Sequence, residues 1–305
     1  MISTRLILRE VLKHDSKKIL LRGLATVQRQ RRTGLSAAQE KEIVRENWEL
    51  RCQLATAYRA FEKFGMSEGI CNHLTAKAPS LFKEEGVALL VPYGMYWSQV
   101  TPECFVGIDL KTAEVIEGLG REPETTAYSI HLGVYDARPD VQCVMHTHPQ
   151  YSTTLSVLKD PTIQMISQNA ARFRTNVAYD IGGYDGIANQ GENTEGKRLG
   201  QALGDKDVLV MGNHGLLTVG ETIPMAYDRH YYFERAAETQ VLAYQTGKPL
   251  SYLPDDVAKR TEEGIYAYVT KEVVAKHLNA LRNVFMKEDP TFIDPKNSEY
   301  MEYVG

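Results

Sequence analysis

The stretch Val141-Gln142-Cys143-Val144-Met145-His146-Thr147-His148-Pro149 decides how the rest of the chain reads. The run before the histidines is apolar and valine-bearing and reads as a buried strand. Side chains along a strand alternate between its faces, so His146 and His148 leave on the same side. Two neutral imidazoles aimed at one point suit Zn, Fe, Mn or Co better than they suit an apolar core. A third imidazole, His214, stands in Gly212-Asn213-His214-Gly215, between apolar runs at 208–211 and 216–219. Those runs read as two strands, which puts His214 on a tight turn. The chain has eight histidines, few enough that this convergence points to a site rather than to hydrogen bonds at a strand end.

Working outward, a helix is expected over 126–137, stopping before Arg138-Pro139 because the residue preceding proline is driven out of helical geometry. Another helix is expected at about 150–158. Upstream, 38–63 places Leu50, Leu54, Ala57, Tyr58 and Phe61 at helical spacing, and Phe64-Gly65-Met66 ends that helix. Residues 70–78, 89–92 and 104–110 read as strands. Downstream, 180–194 is rich in Gly, Asn and Asp and reads as a loop near the site. The helix at 222–246 groups Ala226, Phe233, Ala237 and Val241, leaving His230, Tyr231 and Tyr232 for packing or subunit contact. One long helix is expected over 255–285, with Ile265, Val269, Val273, His277 and Leu281 in a stripe. His277 then belongs to a core or interface. The tail 286–305, with Tyr300 and Tyr303, reads as irregular. Interleaved short strands and helices imply an α/β fold, divided as a basic N-terminal extension (1–35), a metal-binding domain (36–250) and a C-terminal helix and tail (251–305).

With 305 residues and a formal net charge of −4, the chain has an ordinary globular composition and no nucleic-acid signature. No apolar run approaches the roughly 20 residues that a membrane-spanning helix needs. Cys52, Cys71, Cys104 and Cys143 lack C-x-x-C spacing and are expected as free buried thiols, which fits the cytoplasm. Residues 1–35 hold nine Lys/Arg against Glu10 and Asp15. That stretch reads as a helical extension packed on the domain or a neighbouring subunit, with an organelle presequence as the alternative.

Asn72-His73-Leu74-Thr75, Val91-Pro92-Tyr93-Gly94, Ala137-Arg138-Pro139-Asp140, His146-Thr147-His148-Pro149 and Asn213-His214-Gly215-Leu216-Leu217, taken in order and spacing, resemble the class II aldolase/adducin family over about residues 45–247. The resemblance implies a three-layer α/β/α domain with a central, mainly antiparallel sheet. It also implies homo-oligomers, commonly tetramers, with sites near subunit boundaries. In catalytic members three histidines hold one divalent metal per subunit (Zn, Fe or Mn here), and they map onto His146, His148 and His214. The glutamate that such aldolases carry four residues before the helix histidine, here His131, is replaced by Ala127. Glu122 and Glu124 lie close by without replacing it cleanly. That loss, with Tyr93-Gly94-Met95-Tyr96 and Asn72-His73, is similar to the adducin-like branch.

Candidate substrate-binding residues are Asn72, His73, Tyr93, Gly94, Thr125, Thr126 and Arg174. Tyr93 stands where sugar-phosphate members would place a small hydroxyl residue, so its ring would shrink a phosphate site. Arg174, like Arg172, could grip an acid through its planar fork, or be a solvated surface residue. Glu124 and Tyr184 are the candidate acid/base groups, with Asp185 beside Tyr184. His131 is expected to pack on the sheet, and His73 to be either a substrate contact or a buried histidine bonded to backbone.

Three functions follow. The first is a metal-dependent lyase acting on a small oxygenated acid or sugar-like substrate through a metal-stabilised enolate. Decarboxylation suits the missing glutamate better than aldol cleavage, because loss of CO2 needs no base to start it. The second is a mononuclear iron oxygenase using O2 at the three-histidine site. The third is a non-catalytic, adducin-like oligomerisation or interaction module, in which Tyr93 or Tyr96 would fill the substrate space.

Overall fold

The computed structural model describes residues 31–118, 120–184, 186 and 194–293. Most of the basic extension, Asp185, and the tail with Tyr300 and Tyr303 lie outside the described residues. The elements in chain order begin with α1 (Ala37–Lys63), β1 (His73–Ala78), β2 (Val87–Leu90), β3 (Val106–Ile108) and β4 (Val115–Glu117). They continue with α2 (Thr125–Ala137), β5 (Cys143–Thr147), α3 (Gln150–Ser156), α4 (Gln168–Ala171), β6 (Val177–Asp180) and α5 (Thr194–Leu203). The chain then forms β7 (Val208–Met211), β8 (Gly215–Gly220), α6 (Ile223–Gln245), α7 (Asp255–Tyr268) and α8 (Lys271–Glu288).

Among the described residues one eight-stranded sheet runs in the order β4-β3-β2-β1-β5-β8-β7-β6. Every pairing is antiparallel except β6 with β7. The quoted strand, β5, is therefore central, covered on both faces and buried at every residue. Its alternation divides the core. Cys143 and Met145 pack with α1, α6 and α8 residues such as Tyr58, Phe61, Tyr227 and Leu278. Val144 packs on the other face with Ile130 and Val134 of α2 and Leu199 of α5. Helices on both faces of a mainly antiparallel sheet give the expected three-layer fold.

α1 starts at Ser36, which accepts from the Gln39 amide while the Gln39 side chain accepts from the Ser36 amide, a reciprocal capping box. A buried polar knot ties α1 to the sheet edge: Arg51 meets Glu117 at 2.7 Å, and Ser80 donates to the same carboxylate at 2.7 Å. Both partners are almost fully buried, so removing either one would leave an uncompensated charge in a low-dielectric interior.

Several sequence expectations need correction. The long C-terminal helix is two helices, broken at Val269 and restarted by Thr270, whose side chain accepts from the Val273 amide. The Ile265–Leu281 stripe is therefore not one face, although His277 does pack on α6, its Nδ1 lying 3.2 Å from Asp228 Oδ1. The strand expected over 104–110 is shortened to β3, because Pro102-Glu103-Cys104 forms a 3-10 turn. Cys71 is exposed, whereas the other three thiols are buried. No described helix is long and apolar enough to cross a membrane.

Candidate metal centre

β5 delivers His146 from the strand and His148 from just beyond its end, both toward the α2 side of the sheet. The β7–β8 turn delivers His214, and Asn213 takes the left-handed conformation (φ 56°) that this turn requires. Gly215 follows because no side chain fits there: a Cβ would sit 2.6 Å from the Thr147 carbonyl oxygen and 2.7 Å from the His148 ring. Asn72, also left-handed (φ 74°), accepts from the His148 amide at 3.2 Å and fixes the turn out of β5.

One potential ligand atom from each of the three histidines lies within 4.8 Å of the others. His146 Nδ1 faces the Leu216 carbonyl at 3.0 Å, so its proton is on Nδ1 and its Nε2 lone pair is free. His148 Nδ1 is bonded to the Glu68 carboxylate, which fixes the same tautomer. The two free Nε2 atoms then stand 3.2 Å apart, lone pair against lone pair. Tetrahedral Zn with bonds of about 2.0–2.1 Å to nitrogen separates its ligands by about 3.3–3.4 Å, so the spacing fits a shared cation. His214 Nδ1 is buried with no hydrogen-bond partner, an orphaned nitrogen of the kind a ligand satisfies. Burial and the neighbouring imidazoles push His146 well below the ordinary histidine range. Burial, then His148, brings His214 to about 4. At His146 and His214 these effects favour the neutral, metal-binding form.

The trio opens into a cavity of about 270 Å³, lined also by Cys71, Asn72, His73, Tyr93, Glu124 and Thr126, and by Ser129, Ile130, Tyr184 and Glu195. Glu124 caps α2, accepting from the Thr126 and Ala127 amides at 3.1 and 2.7 Å. Its Oε2 also lies 3.9 Å from His73 Nε2. Tyr184 packs against the His214 ring, centroids 5.5 Å apart.

Of the expected substrate contacts, Asn72, His73, Tyr93 and Thr126 line this cavity, while Gly94 and Thr125 do not. Arg174 is elsewhere: it pairs with Glu262 of α7 at 3.2 Å. Arg172 likewise pairs with Asp228 at 2.7 Å and lies over the Tyr232 ring. Both arginines are spent on holding α4 to neighbouring helices. His73 is bonded to His131 rather than to backbone. The occlusion expected of an interaction module is not found, since Tyr93 is 61% exposed at the cavity wall and Tyr96 does not line it. Sequence reasoning missed Glu68, Glu195 and Cys71. For Glu68 a signal existed, an acid four residues before Asn72, yet nothing in one sequence shows that it meets His148.

The sequence pattern of the Class II Aldolase and Adducin N-terminal domain matches residues 52–241. The chain belongs to the class II aldolase and adducin family. A Pseudomonas aeruginosa protein named as a class 2 aldolase is 30% identical over 223 residues, 73% of this chain and 82% of that one. Mouse alpha-adducin is 35% identical over 194 residues, 63% of this chain but only 25% of the adducin. The crystal structure of an aldolase II superfamily protein from Pseudomonas syringae superposes with a TM-score of 0.73 and 31% identity, covering 82% of this chain and 96% of that one. These matches establish the class II aldolase fold. Membership of a family that includes adducins leaves the reaction itself to be argued from the site.

Proposed function

We propose that the protein is a metal-dependent carbon–carbon lyase that decarboxylates a small oxygenated acid, with aldol-type cleavage of a sugar-like substrate as the related alternative. The observation that carries this reading is the facing pair of imidazole nitrogens, 3.2 Å apart, beside His214 and an open cavity. A divalent ion there would neutralise negative charge as it develops on a substrate oxygen, which is Lewis-acid catalysis.

The chain's own residues do the rest. His146, His148 and His214 would hold the ion, and Glu68 and the Leu216 carbonyl orient two of them. Asn72 fixes the backbone at His148. Ile130, buried in the cavity wall, would give the reacting carbon an apolar neighbour. Position 127 carries a methyl group, so proton abstraction from that site has no base. Glu124, held by the α2 amides and facing the cavity, is the carboxylate nearest to replacing it. Among the described lining residues there is no Lys or Arg. A doubly charged phosphate therefore meets no countercharge beyond the metal, whereas the single charge of a carboxylate, or a neutral hydroxyl pair, asks less of that ion. The proposed ligand is one Zn, Fe or Mn per subunit, in a homotetramer.

The test is CO2 release from a panel of oxo and hydroxy acids, beside aldehyde release from sugar phosphates, by metal-stripped and reconstituted protein. Release that returns with the metal and is absent in His148→Ala supports the lyase. Full turnover by metal-free protein overturns it. The match to alpha-adducin favours a second reading, a non-catalytic module; that reading requires every substrate to fail in a metal-loaded protein. The iron oxygenase reading requires turnover to stop without oxygen.

A further inference from the structure

A chain of buried polar groups runs from the sheet to the cavity wall. Tyr135 OH lies 2.9 Å from Thr75 Oγ1, which lies 2.6 Å from His131 Nδ1. His131 Nε2 is 2.8 Å from His73 Nδ1. All four residues are buried, His131 completely, and only His73 reaches the cavity. Such a chain can donate in either direction, and the direction decides what His73 shows to a ligand.

Two contacts set the direction. At the inner end, Tyr135 OH has two possible acceptors: Thr75 Oγ1 at 2.9 Å and the Gln142 carbonyl, which also accepts from the Lys77 amide, at a longer 3.3 Å. The tyrosine proton is thus better placed on Thr75, the threonine proton on His131 Nδ1, and the His131 Nε2 proton on His73 Nδ1. At the outer end, the Glu124 carboxylate oxygen stands 3.9 Å from His73 Nε2. That is near enough to favour a proton on this nitrogen and too far to be bonded to it. The N–H is left without a bonded acceptor, in the cavity that the metal trio shares, with the His73 and His146 ring centroids 5.0 Å apart.

We propose that the Thr75–His131 pair, with the Glu124 carboxylate at the outer end, locks His73 in the neutral tautomer protonated on Nε2, and that His73 donates this N–H to the substrate oxygen on which charge develops. The second half rests on the lyase reading. His73 is then a catalytic residue, while His131 and Thr75 are positioning residues. A neutral imidazole donor of this kind stabilises an oxyanion without giving up its proton.

The experiment is 15N NMR of zinc-loaded protein labelled only in histidine rings, without substrate, on wild type, Thr75→Val and Tyr135→Phe. The expected result is a single His73 tautomer with the proton on Nε2 in wild type. Thr75→Val, which removes the donor to His131, should give a mixture with the Nδ1–H form, with the His146, His148 and His214 signals unchanged. Tyr135→Phe should leave the Nε2–H form dominant, because Thr75 still donates. A proton on His73 Nδ1 in wild type, or an unchanged single tautomer in Thr75→Val, overturns the proposal. This readout needs no substrate, so it stands or falls apart from the lyase reading. Once a substrate is found, His73→Phe should lower kcat by about 10²–10³-fold, the usual effect of losing one oxyanion donor, with little change in KM. An unchanged kcat overturns the catalytic half while leaving the metal site intact.

Discussion

His146 and His230 are both buried and belong to the same sheet–helix sandwich, yet they are built for opposite ends. His230, on α6, uses both ring nitrogens inside the fold: Nε2 is 2.8 Å from Thr147 Oγ1 and Nδ1 is 3.0 Å from Thr218 Oγ1. His146, one residue before Thr147 and on the opposite face of the strand, uses only Nδ1. Its other nitrogen stands 3.2 Å from His148 Nε2, and the His214 ring centroid lies 4.7 Å from that of His146. A structural histidine is satisfied by the protein; a ligand histidine is left half-satisfied on purpose, with an outer partner holding the tautomer. Burial alone does not separate the two, and neither does depressed basicity, since burial brings His230 to about 3.

That contrast can be broken in several places. The largest effect is expected in His146→Ala, which should lose bound metal, its affinity falling by more than the about 10–100-fold typical of outer partners, together with turnover. The measurement is equilibrium dialysis with zinc. Glu68→Gln should weaken zinc by about 10–100-fold, because the amide orients His148 less firmly than the carboxylate does. An affinity equal to wild type would show the Glu68–His148 bond to be incidental. His230→Ala should do the reverse: metal content intact, and stability in urea lower by about 2–3 kcal/mol from the cavity and the orphaned threonine hydroxyls.

The pH dependence of stability sharpens the same contrast. His131 and His230 are each brought by burial to about 3. Their neutral forms are favoured in the folded state, so between about pH 6.5 and 3 the unfolded chain binds more protons than the folded one. Stability is full above about pH 6.5 and is lost as pH falls, by about 1.4 kcal/mol per unit for each such group. His230→Gln should remove one group's share of that slope in urea titrations between pH 6 and 4. The smallest effect is expected from Arg174→Ala, at a partly exposed ion pair with Glu262. It should cost about 1 kcal/mol or less and leave zinc affinity unchanged.

Much of this was legible in the chain. The His-x-His at the end of an apolar strand declares its own geometry, because a period of two admits one arrangement of those rings. Asn213-His214-Gly215 between apolar runs declares a hairpin turn. The central strand, the helices flanking it and the convergence of the three histidines follow from those two segments. What stayed hidden depends on contacts between distant segments. Glu68 meets His148 only because the Cys71–Asn72 turn brings it there, and Arg174 reads as a free guanidinium until α7 supplies Glu262. The break at Thr270 carries no Pro or Gly and is marked only by a capping threonine. β4 and β6 are short edge strands, too brief for alternation to register.

The central claim is that His146, His148 and His214, each with a ring nitrogen that the fold leaves unbonded, hold one metal. The most direct test is the metal content of freshly purified, anaerobically handled protein, by plasma mass spectrometry, beside a His146→Ala/His148→Ala variant. The account predicts about one divalent metal ion per chain in the first and none in the second. No metal in the wild type even after reconstitution, or equal metal in both proteins, would contradict it.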